Sequence, residues 1–184
     1  MTKISFTITC IILLSFNSIS QDIFTARSQT LGSSVTITGI VTNGDELGPI
    51  RYVEDGTAGI AIYDLSTNNL LNGAQRGDSI TITGTLVDYN GLLEMNPISS
   101  AIIHSSSNSI TPQTVTPIQI GENTESELIQ IDNVIFNNGG GLFTVGTHDF
   151  QSNGEAGKIY IRTGHPLANS LIPMSPVTLV GLSS

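Results

Sequence analysis

The sequence predicts an all-β protein assembled from two related units, and three observations carry that expectation. Apolar and polar residues alternate with period two in one segment after another, and the apolar positions are rich in Val and Ile. No segment sustains a helical period. One strand, irregular stretch, strand pattern recurs near the C-terminus.

After a short leading segment, residues 21–33, the alternation begins at Ser34. Val35, Ile37, Gly39 and Val41 interleave with Thr36, Thr38, Ile40 and Thr42, as a strand with β-branched residues on both faces. Asn43-Gly44-Asp45 supplies turn chemistry. Ile50 to Glu54 reads as a second strand, Asp55 to Gly59 as a tight turn, and Ile60 to Tyr63 as a third strand. Residues 64–77 are polar around a Leu70-Leu71 pair and suit either a short helix or a loop. Asp78 to Val87 is the fourth strand, with Ile80, Ile82, Gly84 and Leu86 on one face. Tyr89-Asn90-Gly91 is a hairpin turn leading into a fifth strand from Leu92 to Met95, with a further strand at Ser100 to His104. Residues 105–126 are rich in Ser, Thr and Pro. They read as an extended connector whose Val115 and Ile118 dock on the first unit. A new strand runs from Glu127 to Phe136, followed by the flexible turn Asn137 to Gly141.

The repeat relates residues 34–104 to residues 127–184. Ile60 and Ile62 correspond to Ile159 and Ile161, and Ile80, Ile82 and Gly84 to Val177, Leu179 and Gly181, at offsets of 97–99 residues. The second copy has no counterpart of Tyr89 to Met95, so it is expected to be incomplete, a fragment lacking its last strand.

Residues 1–20 read as a cleavable secretory signal. Lys3 provides the positive end, Ile4 to Phe16 the apolar stretch, and Ser18 and Ser20 the small residues before a cut at Gln21. The apolar stretch is 13 residues long, short of the roughly 20 that span a bilayer. Cys10 lies inside it, so the mature chain carries no cysteine and must rest on its hydrophobic core. The formal charge is −9, and loss of Lys3 makes it −10. Arg27, Arg51, Arg76, Lys158 and Arg162 are scattered. That argues against nucleic-acid binding, which needs clustered Lys and Arg against phosphates.

A glycine within the first strand, the Asp-Gly-Thr-x-Gly turn, and a fourth strand reading Gly-Asp-x-Ile-x-Ile-x-Gly occur together. The sequence resembles the OB-like modules of secreted bacterial proteins. The likeness lies in Val35 to Val41, Val53 to Tyr63 and Gly77 to Asn90; it is strong over residues 34–104 and weaker over 127–184. It implies a five-stranded barrel followed by an incomplete second copy. It also implies company with extracellular nuclease or phosphatase domains, or a place among surface-protein repeats. Gly39 and Gly84 fit the bends that close a small barrel, and Gly56 and Gly59 fit turn geometry.

OB-folds bind oligomers across strands two and three and the adjoining loops. Here that face draws on Arg51, Tyr52, Tyr63, Tyr89 and Asn90 as candidate ligand-binding residues. One arginine among acidic neighbours suits a glycan or a protein better than a nucleic acid. No catalytic residue, metal ligand or cofactor is expected. His104, His148 and His165 show no paired metal-ligand spacing with Asp149 or Glu155, and the acidic pairs Asp45-Glu46 and Glu54-Asp55 read as solvated turns, not a calcium site. The expectation is therefore a non-catalytic secreted or cell-surface binding or spacer module. Its partners would be other domains of the same polypeptide or extracellular polymers. The alternative is the N-terminal accessory region of a secreted nuclease or phosphatase whose catalytic domain lies beyond residue 184.

Overall fold

The structure, a computed structural model, describes residues 20–65 and 69–184. The signal-peptide reading falls on residues outside this range, apart from Ser20. Among the described residues, ten strands, one short α-helix, α1 (Ile23–Arg27), and three single-turn 3-10 helices make up the regular structure.

The first five strands are β1 (Ser34–Val41), β2 (Ile50–Glu54), β3 (Gly59–Tyr63), β4 (Ser79–Tyr89) and β5 (Leu92–Ser105). They close in the order β1-β2-β3-β5-β4, with β5 parallel to β3 and every other pair antiparallel. This is the OB-like barrel, and the all-β expectation holds. Period-two alternation aims Val35, Ile37, Val53, Ile60, Ile62, Ile80, Ile82, Leu86 and Met95 into one core, while α1 adds Ile23 and Ala26 at its edge. The two segments expected at Leu92–Met95 and Ser100–His104 form one 14-residue strand, which bends where its register against β4 shifts on either side of Gly84. Gly39 marks a second tight place. A Cβ there would stand 2.5 Å from the Glu54 carbonyl oxygen, where β1 turns from its long ladder with β4 to its short one with β2. Within residues 64–77, the described part forms turns that bury Leu71 and Ala74 against the core.

The second unit contains β6 (Gln113–Thr114), β7 (Leu128–Phe136), β8 (Gly146–Ser152), β9 (Glu155–Ile161) and β10 (Val177–Leu182). Its sheet runs β10-β7-β8-β9, the order of β4-β1-β2-β3 in the barrel, and β6 adds in parallel to β7. Among the described residues no strand joins β9 to β10, so this sheet stays open. Its core gathers Phe136, Phe143 and Phe150 in edge-to-face contacts with Ile131, Val134, Ile161 and Ile172.

The connector corrects the sequence reading. Val115 packs into the second unit's core, not the first, and Ile118 is 80 % exposed. The repeat also extends further upstream than the strand pattern suggested. Gln21 N–H donates to the Thr36 carbonyl at 3.0 Å, and Val115 N–H donates to the Gln130 carbonyl at 2.9 Å, a matched pair at an offset of 94 residues. Each unit is entered by a chain lying parallel to its first strand.

Candidate functional site

The outer face of β2, β3 and β5 is where OB-folds bind polymers. Alternation puts Tyr52 and Glu54 on it from β2, Gly59, Ala61 and Tyr63 from β3, and Glu94 from β5, opposite the core residues Val53, Ile60, Ile62 and Met95. Most of this face is covered. Ala61 is fully buried although it lies outside the barrel core, and Tyr52 and Glu94 are buried with it.

The covering element is the chain that leads into β7. Gly59 faces the backbone of Ser126 and Glu127, and a Cβ at Gly59 would stand 2.5 Å from the Ser126 carbonyl carbon. Gly59 therefore serves close approach between the units; the turn expected to need it relies on the positive φ of Gly56. Leu128 N–H donates to Glu54 Oε1. Glu125 Oε2 accepts from Leu93 N–H at 3.4 Å and from Arg27 Nη2 at 2.8 Å. Arg27, reaching from α1, also donates to the Gly59 carbonyl at 2.9 Å and to Glu122 at 3.0 Å. The Arg27–Glu125 pair is about nine-tenths buried and hydrogen-bonded on several sides, whereas Glu122 lies in solvent and adds little. At the far edge Arg162 donates to the Leu47 carbonyl at 3.1 Å.

Carboxylates crowd this contact. Burial pushes the Glu54 carboxyl up to about 7, opposed by the Leu128 N–H and reinforced by Glu127. Burial also raises Glu94, against its bond from Asn96, and raises Glu127, against Arg27. The Tyr52 hydroxyl is raised by burial, with Arg162 pulling it down and Glu125 and Glu94 pushing it up. All four shifts have desolvation as their main cause, as expected where one unit excludes water from the other.

The five candidate residues do not form one site. Arg51 lies on the opposite face from Tyr52. It is buried, donating to the carbonyls of Ala74 at 3.1 Å and Gly48 at 2.8 Å, and so closes one end of the barrel. Tyr52 is buried at the contact and Tyr63 is half-buried at the end of β3. Tyr89 and Asn90 sit at the exposed β4–β5 hairpin that leads into β5. Asn90 and Gly91 both have positive φ, the signature of a type I′ turn, and that geometry accounts for Asn90.

The acidic turns have structural work. Asp55 accepts from Thr57 N–H at 2.9 Å and the Thr57 hydroxyl at 2.6 Å, and its other oxygen accepts from Ile23 N–H at 2.7 Å, fastening α1 to the barrel. Glu46 accepts from Gly44 N–H. The histidines are dispersed: His104 bonds the Thr81 hydroxyl, His165 accepts from Leu167 N–H, and buried His148 lies between Phe143 and the Thr144 backbone. Among the described residues, no three His, Cys, Asp or Glu side chains stand where they would hold a metal. A cleft of about 440 Å³ beside the contact is lined by Thr38, Thr42, Ser79, Ser109 and Thr111 with Glu54, and no aromatic side chain lines it. No described helix is long and apolar enough to cross a membrane.

No family model and no curated protein matches the chain. Among solved structures, the chain is similar to the hypothetical protein ygiW from E. coli. The two share 17 % identity over 47 % of this chain and 90 % of that one, with a TM-score of 0.39.

Proposed function

We propose that this chain is a non-catalytic, exported module that fixes the spacing and orientation of parts of a larger extracellular protein. The barrel turns its polymer-binding face inward and uses it to hold the second unit. The observations that support this most directly are the burial of Tyr52, Ala61 and Glu94 on that face and, along it, the packing of Gly59 against the Ser126 backbone and the Leu128 N–H bond to Glu54. Backbone close approach at Gly59 and the nearly buried Arg27–Glu125 pair tie the two units together, as a spacer of fixed geometry requires. The acidic, lysine-poor composition suits a solvated extracellular surface.

The test is residual dipolar coupling by NMR on residues 20–184. One alignment tensor should fit the amides of both units. Two independent tensors would show a loose joint and remove the spacer reading. Export is tested separately in the native host, where the mature protein should begin at Gln21 or a near neighbour; retention of Met1 would contradict it.

A further inference from the structure

The cleft of about 440 Å³ beside the contact lies where β1, the end of β2 and the connector meet. Ile40 of β1 and Glu54 of β2 are cross-strand partners, so their side chains share its wall. Some of its polar groups are already committed. The Thr38 hydroxyl is bonded to that of Thr81 at 2.6 Å, the Thr42 hydroxyl donates to the Tyr52 carbonyl at 3.2 Å, and Asp55 accepts from Thr57 and Ile23. The others are open. Glu54 Oε1 accepts from the Leu128 N–H, but Glu54 Oε2 and the hydroxyls of Ser79, Ser109 and Thr111 make no hydrogen bond among the described residues. No basic side chain lines the cleft. The charged group that faces Glu54 from the neighbouring unit is Glu127, of like sign, and Arg27 is held by Glu125 and the Gly59 carbonyl. A carboxylate withdrawn from water with no cation beside it is costly, and a bound cation relieves that cost.

The open groups also define the cation. A guanidinium fork needs both carboxylate oxygens, and the Leu128 N–H occupies one. Calcium takes six to eight oxygens, several of them carboxylate, and the cleft offers one free carboxylate oxygen. An ammonium donates three hydrogen bonds, which a single carboxylate oxygen and neighbouring hydroxyls can accept. Ile40 and Ile110 supply apolar surface for its methylenes. The formal charge of −9 draws cations to the whole chain. We propose that this cleft binds a primary ammonium group on an aliphatic stem, with Glu54 as its counter-ion. The source is a lysine side chain of a partner polypeptide or a free alkylamine. The site goes beyond the spacer reading, which assigns the chain no ligand.

The probes are n-butylamine and Nα-acetyl-lysine methylamide, added to residues 20–184. Both stay protonated up to pH 8. NMR titration should give saturable shifts at Gly39, Ile40 and residues 109–111, and none in β8 or β9. Burial pushes the Glu54 carboxyl up to about 7, with Glu127 adding to the rise and the Leu128 N–H opposing it. The ammonium selects the ionised form, so affinity should rise about ten-fold from pH 6 to pH 8. Calorimetry at pH 6 in buffers of different ionisation enthalpy should show about one proton released per amine bound. Glu54→Gln, whose amide oxygen can still accept from Leu128, should abolish binding; the proton release is read on the unmodified protein and does not depend on that variant. Tighter binding of the lysine amide than of n-butylamine would identify a polypeptide lysine as the source, and equal binding a free amine. Equal binding of n-butanol or methyl glucoside would overturn the proposal, by making the cleft an apolar or a hydroxyl-recognising site. Binding without proton release, undiminished binding to Glu54→Gln, or shifts spread over the acidic surface without saturation would overturn it as well.

Discussion

Gly59→Ala isolates the contact between the units in a single methyl group. The Gly59 φ lies outside the left-handed region, so alanine is compatible with its backbone, and within the barrel alone the change reduces only unfolded-state entropy. In residues 20–108 it should be neutral or stabilise by about 0.4–1 kcal/mol. In the full chain the new Cβ would stand 2.5 Å from the Ser126 carbonyl carbon and 2.9 Å from the Glu127 nitrogen. Neither atom can rotate away, so the units must part by about 1 Å to restore ordinary contact, an overpacking cost of roughly 1–3 kcal/mol. That retreat stretches the 2.8 Å Arg27–Glu125 bond and the Leu128 N–H bond to Glu54 as well. The assay is urea unfolding followed by circular dichroism, with both chain lengths measured in wild-type and variant form. The discriminating result is opposite sign: loss of stability in the long chain, none in the short one. A neutral effect in the long chain, or equal destabilisation in both, would refute the close-approach argument.

Glu54→Gln probes the buried carboxyl. Its raised pKa means the folded protein binds a proton that the unfolded chain releases between pH 4.5 and about 7, so stability falls as pH rises through that window. Partial solvent access reduces the penalty to the order of 1 kcal/mol, fully present above pH 7 and absent below 4.5. The variant should be the more stable form at pH 8 and lose that advantage at pH 4.5; a pH-independent difference would contradict the assignment. Ser126→Gly should stabilise the chain by about 1 kcal/mol. It relieves a serine held at φ +68 and removes a buried hydroxyl without a partner among the described residues, and a thermal melt would show the gain or its absence. Ile82→Ala should cost about 2–5 kcal/mol, while Leu179→Ala at the matching position of the open sheet should cost well under half of that. Equal losses by denaturant titration would mean the second sheet is as well covered as the first.

The barrel was legible because each of its strands carries an alternating face and turn residues mark its corners. The Asn90-Gly91 hairpin and the Gly39 and Gly84 bends sit where the pattern asked for them. The second unit was read in part. β8 escaped because Thr147, Asp149 and Gln151 alternate with only one large apolar residue, Phe150, so its run looks polar. The signal was present nonetheless: Asn153-Gly154, both at positive φ, is the same type I′ turn that joins β4 to β5. The candidate site was misjudged for a different reason. Alternation assigns residues to a face and says nothing about what covers that face. Tyr52 on an outward position reads as a ligand contact until Ser126, far along the chain and without any periodic pattern, is found packed over Gly59 on the same face.

The same logic distinguishes how the two sheets are held among the described residues. Closing an OB-like sheet needs a strand that pairs with both edges, and β5 does so only because it is long enough to follow β4 and then cross to β3. It also contributes core residues and removes two sheet edges at once. Among the described residues the second unit is held together by a cluster of three phenylalanines, a leading segment added parallel to β7, and the contact with the barrel. That dependence gives the joint its direction. The barrel has its own core and five paired strands, whereas β7 and β10 begin and end against the strip, residues 122–128, that lies on the barrel. Loosening that strip by Gly59→Ala should therefore raise hydrogen exchange in β7 and β10 while leaving β1 and β4 protected. If protection fell first in the barrel, the order of dependence would be reversed.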